Sequence, residues 1–175
     1  TSLTQESIQA FINKFDTKNV TNMCAMFEYL NIDAIDISHF NTANVTDISW
    51  LFHGSSIINI NFGSNFNTSN VRKFDGMFQD MKKITTLDIS LIKVSKGATI
   101  NYMFGKCPNL KTIYVSEDNG FENAGAGDRV FEGDTSLVGG SGDNETKFTS
   151  NQVSKTYARI STQDNPGYFT NANEK

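Results

Sequence analysis

The chain has 175 residues, of which 38% are hydrophobic and 19% charged; this is long enough for one domain with its own core, with uncharged Asn, Thr, Ser and Gly filling the balance. A net charge of −4 gives no sequence-independent attraction to nucleic acid or anionic membrane, and no apolar run approaches the roughly 18 residues of a membrane-spanning helix. Two cysteines, Cys24 and Cys107, are too few for a disulfide framework or a cysteine-built zinc site.

Residues 1–10 have neither the basic start nor the apolar stretch of a signal peptide, and a first residue that is Thr rather than Met reads as the start of a trimmed piece. After Thr4-Gln-Glu-Ser, the residues Ile8, Phe11 and Ile12 fit a short helix. Residues 1–14 are either an N-terminal cap or the remnant of an upstream repeat, and the sequence does not choose between them.

From residue 15 the chain repeats itself. Phe15-Asp-Thr-Lys-Asn-Val-Thr-Asn-Met-Cys-Ala-Met-Phe27 aligns with Phe40-Asn-Thr-Ala-Asn-Val-Thr-Asp-Ile-Ser-Trp-Leu-Phe52 and Phe66-Asn-Thr-Ser-Asn-Val-Arg-Lys-Phe-Asp-Gly-Met-Phe78, at steps of 25 and 26 residues. A decayed copy runs from Ile92 to Phe104, and a fragment of a fifth survives around Phe131 and Leu137. Within each copy Val20, Met23, Met26 and Phe27, and their counterparts, follow the spacing of one face of a short helix, with Asn19 or Thr21 able to cap its start. Between copies lie Ile32, Ile35 and Ile37; Ile57, Ile60 and Phe62; Ile84, Leu87 and Ile89; and Leu110, Ile113 and Val115. Their last two positions alternate with small polar residues, as in a strand buried on one side.

These patterns predict an α/β fold: a right-handed leucine-rich-repeat solenoid of about four strand–turn–helix repeats of 25–27 residues, with a parallel sheet on one face and an irregular C-terminal cap. The expected organisation is the cap or truncated repeat at 1–14, a repeat array at 15–116, and a degenerate repeat with cap at 117–175, where Phe131, Leu137, Val138, Phe148, Tyr157, Ile160 and Phe169 supply the apolar residues that seal the end.

The block Phe40-Asn-Thr-Ala-Asn-Val-Thr-Asp-Ile48 with Leu51-Phe52, the strand segment Leu87-Asp-Ile-Ser90, the turn Met103-Phe-Gly-Lys-Cys107 before Leu110, and the closing segments Tyr157-Ala-Arg-Ile160 and Asn165-Pro-Gly-Tyr-Phe-Thr170 together resemble the BspA-like leucine-rich-repeat surface proteins. These occur in many bacteria, mycoplasmas among them, and in some parasitic protists. The resemblance spans about residues 15–170 and implies display at a bacterial surface or secretion, with adhesion to host matrix, host cells or other bacteria.

Residues bearing chemistry are scattered. His39 and His53 fall at different points of consecutive units and read as exposed turn residues. Gly139-Gly-Ser-Gly142 lacks the Lys-Ser/Thr of a phosphate-binding loop. Cys24 and Cys107 are three copies apart, on the order of 14 Å at one strand spacing per copy, beyond the roughly 7 Å a disulfide spans. They read as free thiols, with Cys24 a small core residue. Glu117-Asp118 and Asp143-Asn-Glu145 lack the regular oxygen spacing of a calcium loop, and no cofactor or metal is expected.

What remains is the polar side of the strands: Ala34, Asp36, Ser38; Asn59, Asn61, Gly63; Thr86, Asp88, Ser90; and Thr112, Tyr114, Ser116. The expected function is non-enzymatic binding of a protein or host extracellular-matrix ligand through this face, by a monomer. Asp36, Asn61, Asp88 and Tyr114 are the candidate contact residues, Tyr114 as an amphipathic anchor. The alternatives are a structural spacer with no partner of its own, or a hydrolase using paired carboxylates, for which no convergent acid pair is visible.

Overall fold

An N-terminal capping box opens the chain. Thr4 Oγ1 accepts from the Ser7 N–H at 3.1 Å and the Thr4 N–H donates to Ser7 Oγ at 2.9 Å, which starts helix α1 at Gln5–Ile12. The computed structural model describes residues 3–175; Thr1 and Ser2, the start of the expected 1–14 segment, lie outside the described residues. α1 buries Ile12 but leaves Phe11 63% exposed. Its glutamines do something the apolar pattern does not announce. Gln5 and Gln9 lie one helical turn apart, close to the spacing of alternate residues along a strand. Their side-chain amides bond both ways with the edge backbone of strand β1 (Ala34–Asp36). Gln5 accepts from the Asp33 and Ala34 N–H groups and donates to the Ala34 carbonyl; Gln9 accepts from the Asp36 N–H at 2.9 Å and donates to the Asp36 carbonyl at 2.8 Å. The outer edge of β1 is thereby covered.

The repeated blocks stack, but not as helices. The N–H groups of Met23, Ala25, Phe27 and Tyr29 donate to the carbonyls of Asp47, Ser49, Leu51 and His53 in the next copy. The same four-bond ladder joins Ile48, Trp50, Phe52 and Gly54 to Lys73, Asp75, Met77 and Gln79, and recurs from copy three to copy four and from copy four to the fifth. Intervening residues bond three back, as Met26 does to Met23 and Glu28 to Ala25, or to a side-chain oxygen, as Cys24 does to Asn22 and Ser49 to Asp47. Every fourth residue has positive φ: Ala25 and Tyr29, Trp50 and Gly54, Gly76 and Asp80, Tyr102 and Lys106, Arg129 and Gly133. A helix requires uninterrupted negative φ and bonds to the residue four back, so each block is a run of turns.

The interior shows why. Phe27, Phe52, Phe78, Phe104 and Phe131 form one column with ring centroids 5.7, 5.8, 5.8 and 5.6 Å apart, each pair stacked. Helices pack with axes 8–10 Å apart, too far for adjacent copies at this step, whereas turns bonded edge to edge fit it.

The strands are as short as the turns allow. β1 pairs with β2 (Asn59–Asn61) in parallel, Ile35 against Ile60. β3 (Thr86–Asp88) pairs in parallel with β4 (Thr112–Val115), Leu87 against Ile113. β5 (Val138–Gly139) and β6 (Thr146–Lys147) form an antiparallel pair, and β7 (Thr170–Asn171) lies parallel beside β4. The sheets are therefore β1–β2, β3–β4–β7 and β5–β6. The expected α/β leucine-rich-repeat solenoid of strand–turn–helix units is thus corrected: α1 is the one α-helix among the described residues, the repeat blocks contain none, and small sheets of two and three strands replace one continuous parallel sheet.

The break between β2 and β3 has a counterpart in the spacing. Eight residues separate Phe27 from Ile35 and Phe52 from Ile60; nine separate Phe78 from Leu87 and Phe104 from Ile113. Copies of equal spacing pair, and where the spacing changes the strands do not. Beyond β4, Tyr168 and Phe169 are fully buried. The Phe169 ring meets Phe104 and Phe131 edge-on at 5.9 Å and Phe121 at 4.8 Å, closing the last rows of the column from the side. No described helix is long and apolar enough to cross a membrane.

Candidate functional site

Alternation along β1 to β4 buries Ile35, Leu87 and Ile113 and turns their polar neighbours outward. Register then aligns the candidate residues in two pairs, Asp36 beside Asn61 and Asp88 beside Tyr114. In the first pair the Asn61 amide donates to Asp36 Oδ2 at 3.2 Å, while Asp36 Oδ1 accepts from the Ser38 N–H at 2.9 Å. Those bonds, Ser38 foremost, hold the Asp36 carboxyl below its ordinary range.

Between the two pairs lies the gap left by β2 and β3. Asn61, Phe62 and Gly63 on one side and Asp88, Ser90 and Leu91 on the other line a notch of about 310 Å³. Gly63, at φ +70°, is required there, since a Cβ would stand 2.5 Å from the Ser38 backbone. The exposed Leu91 gives the notch an apolar lip. Among the described residues β2 pairs only with β1, and β3 only with β4, so each keeps an unpaired edge at this gap.

The second pair is engaged within the chain. Asp88 accepts from the Ser90 N–H at 3.1 Å and from Ser90 Oγ at 2.7 Å, and forms an ion pair with Lys175. The Lys175 ammonium also sits 5.5 Å from the Tyr114 ring centroid. Partial burial pushes the Asp88 carboxyl up, but the bonds from Lys175 and Ser90 outweigh it and leave it below its ordinary range. Lys175 reaches this point because β7 runs beside β4 with Tyr114 opposite Thr170. The tail is further tied by Asn171, whose amide donates to Glu117 at 3.1 Å.

All four candidate residues thus lie on one face, in two pairs flanking one notch. Sequence reasoning missed Lys175, Gln9 and the notch. Only the change of spacing after Phe78 signals the notch, while no local pattern marks Lys175 as the partner of a strand 87 residues away. Elsewhere the histidines do not converge: His39 packs edge-on against Phe40 at 4.9 Å, and His53 Nδ1 lies 2.9 Å from the Glu28 carboxylate. Both cysteines are free; Cys107 is buried, but Cys24 is exposed and not the core residue its spacing suggested, because a turn, unlike a helix, points it outward. Among the described residues no group of three or more His, Cys, Asp or Glu is placed to hold a metal ion.

Among known families, the one described as "Mycoplasma protein of unknown function, DUF285" matches residues 2–117, a stretch that carries α1, β1 to β4 and all four candidate residues but not Lys175. No curated protein and no solved structure matches the chain.

Proposed function

We propose that this chain, which belongs to the DUF285 family of mycoplasma proteins of unknown function, is a non-enzymatic recognition module of a bacterial surface or secreted protein, binding an extended stretch of a partner protein along the notched sheet face. The observation that carries this reading is the pair of unpaired edges, β2 and β3, bordering a notch flanked by Asn61 and Asp88. Extended peptides recognise such edges through main-chain hydrogen bonds and take specificity from neighbouring side chains. Asp36 and Asn61 supply polar contacts, Leu91 an apolar lip, and Tyr114 an aromatic anchor. The resemblance of the repeat blocks to BspA-like surface proteins supports an extracellular or cell-surface setting and adhesion to host matrix, host cells or other bacteria.

The test is surface plasmon resonance against a panel of purified extracellular-matrix proteins. For whichever of these binds, the Asn61→Ala/Asp88→Ala double variant is expected to weaken binding tenfold or more, about 1.4 kcal/mol, while still folding cooperatively with a melting temperature lowered by only a few degrees. Unchanged affinity in that variant, or no binding across the panel, would reject the sheet-face assignment.

A further inference from the structure

The opposite side of the molecule carries a larger depression, about 520 Å³, formed where the turn blocks of copies two, three and four lie side by side. Its wall is built on the positive-φ position of each block, occupied in these copies by Trp50, Gly76 and Tyr102. The positive φ is a property of every repeat, since Ala25 and Arg129 share it; the choice of two aromatics around a glycine is particular to this place. The Trp50 indole lies across Gly76: a Cβ on that glycine would come within 2.3 Å of Trp50 Cδ1 and 2.5 Å of Nε1. The indole is thereby seated against backbone, yet Trp50 remains 45% exposed. One row further on, Tyr102 lines the same depression with the Arg129 guanidinium 5.8 Å from its ring centroid.

The polar groups here are largely balanced internally. Asp75 accepts from Thr99 Oγ1 at 2.5 Å and from the Asn101 backbone and side-chain N–H groups at 2.7 and 2.8 Å, and Asp47 pairs with Lys73 at 3.4 Å. Among the described residues an anionic ligand finds no free cation here, since Lys73 is paired with Asp47; Asp75 is supplied with three neutral donors but forms no ion pair, so a cation is the rival ligand that the test must separate. Carboxylate lone pairs and the Gln79 side-chain amide still offer the mixed acceptors and donors that a hydroxyl-rich ligand uses. The volume lies in the range of small-molecule sites. An indole held in place by its neighbour loses little conformational freedom on binding, and its electron-rich face attracts the weakly positive C–H groups along one side of a sugar ring.

We propose that this depression is a binding site for a neutral pyranose sugar, which stacks an apolar ring face on Trp50 and hydrogen-bonds through its hydroxyls toward Gln79 and Asp75. It is separate from the notched sheet face and independent of whether that face binds protein.

Trp50 is the chain's one tryptophan, so its fluorescence reports on this site alone. Titration of the whole chain with cellotriose, maltotriose and the trimer of N-acetylglucosamine is expected to give a saturable change in emission for at least one of them, with a Kd of about 1 mM or tighter. Tyr102→Ala and Gln79→Ala are each expected to raise that Kd at least threefold with unaltered thermal melting, and Asn61→Ala on the far side to leave it unchanged. Trp50→Ala, read by calorimetry, is expected to abolish heat of binding. No saturable change with any of the three sugars would overturn the proposal. So would saturation by tetramethylammonium instead, which would make the site an aromatic cage for cations, or a sugar response that survives all three substitutions.

Discussion

The two long sides of the molecule are built from the same repeats, yet one is continuous and the other is broken. On the turn side Asn22, Asp47, Lys73, Thr99 and Ala126 form an unbroken row of parallel bridges, and each of the five stands five residues before the stacked phenylalanine of its copy. On the strand side the distance from that phenylalanine to the inward-facing apolar strand residue changes from eight to nine after the second copy, and the sheet stops there. The lesson is that the phenylalanine column sets the register of everything bonded near it. Segments at constant offset form a ladder; a one-residue change opens an edge. The side with the constant offset is expected to carry more of the stability, and the side with the break carries the candidate protein-binding notch.

The sharpest way to break that comparison is to remove a ring from the column. Phe78 is fully buried, between Phe52 and Phe104, each 5.8 Å away. Phe78→Ala deletes the ring at the middle of a stack in which every neighbour relies on it, and is expected to cost about 3–5 kcal/mol in urea unfolding. Ile60→Ala, at the partly exposed side chain lining the notch, is expected to cost under about 2 kcal/mol. Equal losses at the two positions would mean that the strand side is as stabilising as the column.

The periodicity of the sequence made the stacking, the copies, the buried alternation along the strands and the outward-facing candidate residues legible. It misled at Val20, Met23, Met26 and Phe27, because an apolar residue every three to four positions also satisfies consecutive turns. The residues at positive φ, among them Ala25, Trp50 and Tyr102, are of types that give no warning of a left-handed backbone. Their conformation is imposed by the bonds to the next copy, which no single repeat contains. Lys175 on Asp88 and Tyr168 beneath the last turns were illegible for the same reason: both depend on how the nonrepeating tail folds back along β4. The role of Gln5 and Gln9 lies between these cases, since their helical spacing is readable but its match to a strand edge is visible only once β1 is placed.

Carboxylates sharpen the contrast between the sides. Asp36 and Asp88 on the strand side are held below their ordinary range, so what they contribute to stability is present above about pH 4 and lost on acidification through their lowered values. Asp134 belongs to a row on the turn side with the partly buried Leu30 and the buried Ser55, Met81 and Cys107, each three residues past its phenylalanine. It is wholly buried, and one of its oxygens has no partner among the described residues. Burial pushes it up to about 8, against the pull of the Cys107 N–H that donates to its other oxygen at 2.8 Å. A carboxyl raised in the folded state favours folding only while protonated. Stability should therefore fall as pH rises from about 4, where the unfolded carboxyl ionises, to about 8, and level off beyond. Chemical denaturation across that window is expected to show a decline of a few kcal/mol, and Asp134→Asn, which keeps the acceptor and removes the charge, should flatten it. A variant as pH-sensitive as the parent would place the effect elsewhere.

The smallest effect tests whether the broken side is guarded by its own tail. Lys175 is partly exposed, as is Asp88, and an exposed ion pair contributes no more than about 1 kcal/mol, so Lys175→Ala should leave unfolding almost unchanged. Its consequence is expected in binding. The lysine takes up the Asp88 carboxylate and sits against Tyr114, the same groups assigned to a partner. An incoming protein must displace it, and removing it should tighten binding about two- to fivefold, the equivalent of 0.5–1 kcal/mol. Screening weakens an exposed ion pair, so moderate salt should narrow the gap between parent and variant in the same resonance assay, with the parent moving toward the variant. If Lys175→Ala weakened binding instead, the ammonium would belong to the contact surface, and the tail would be part of what the partner recognises.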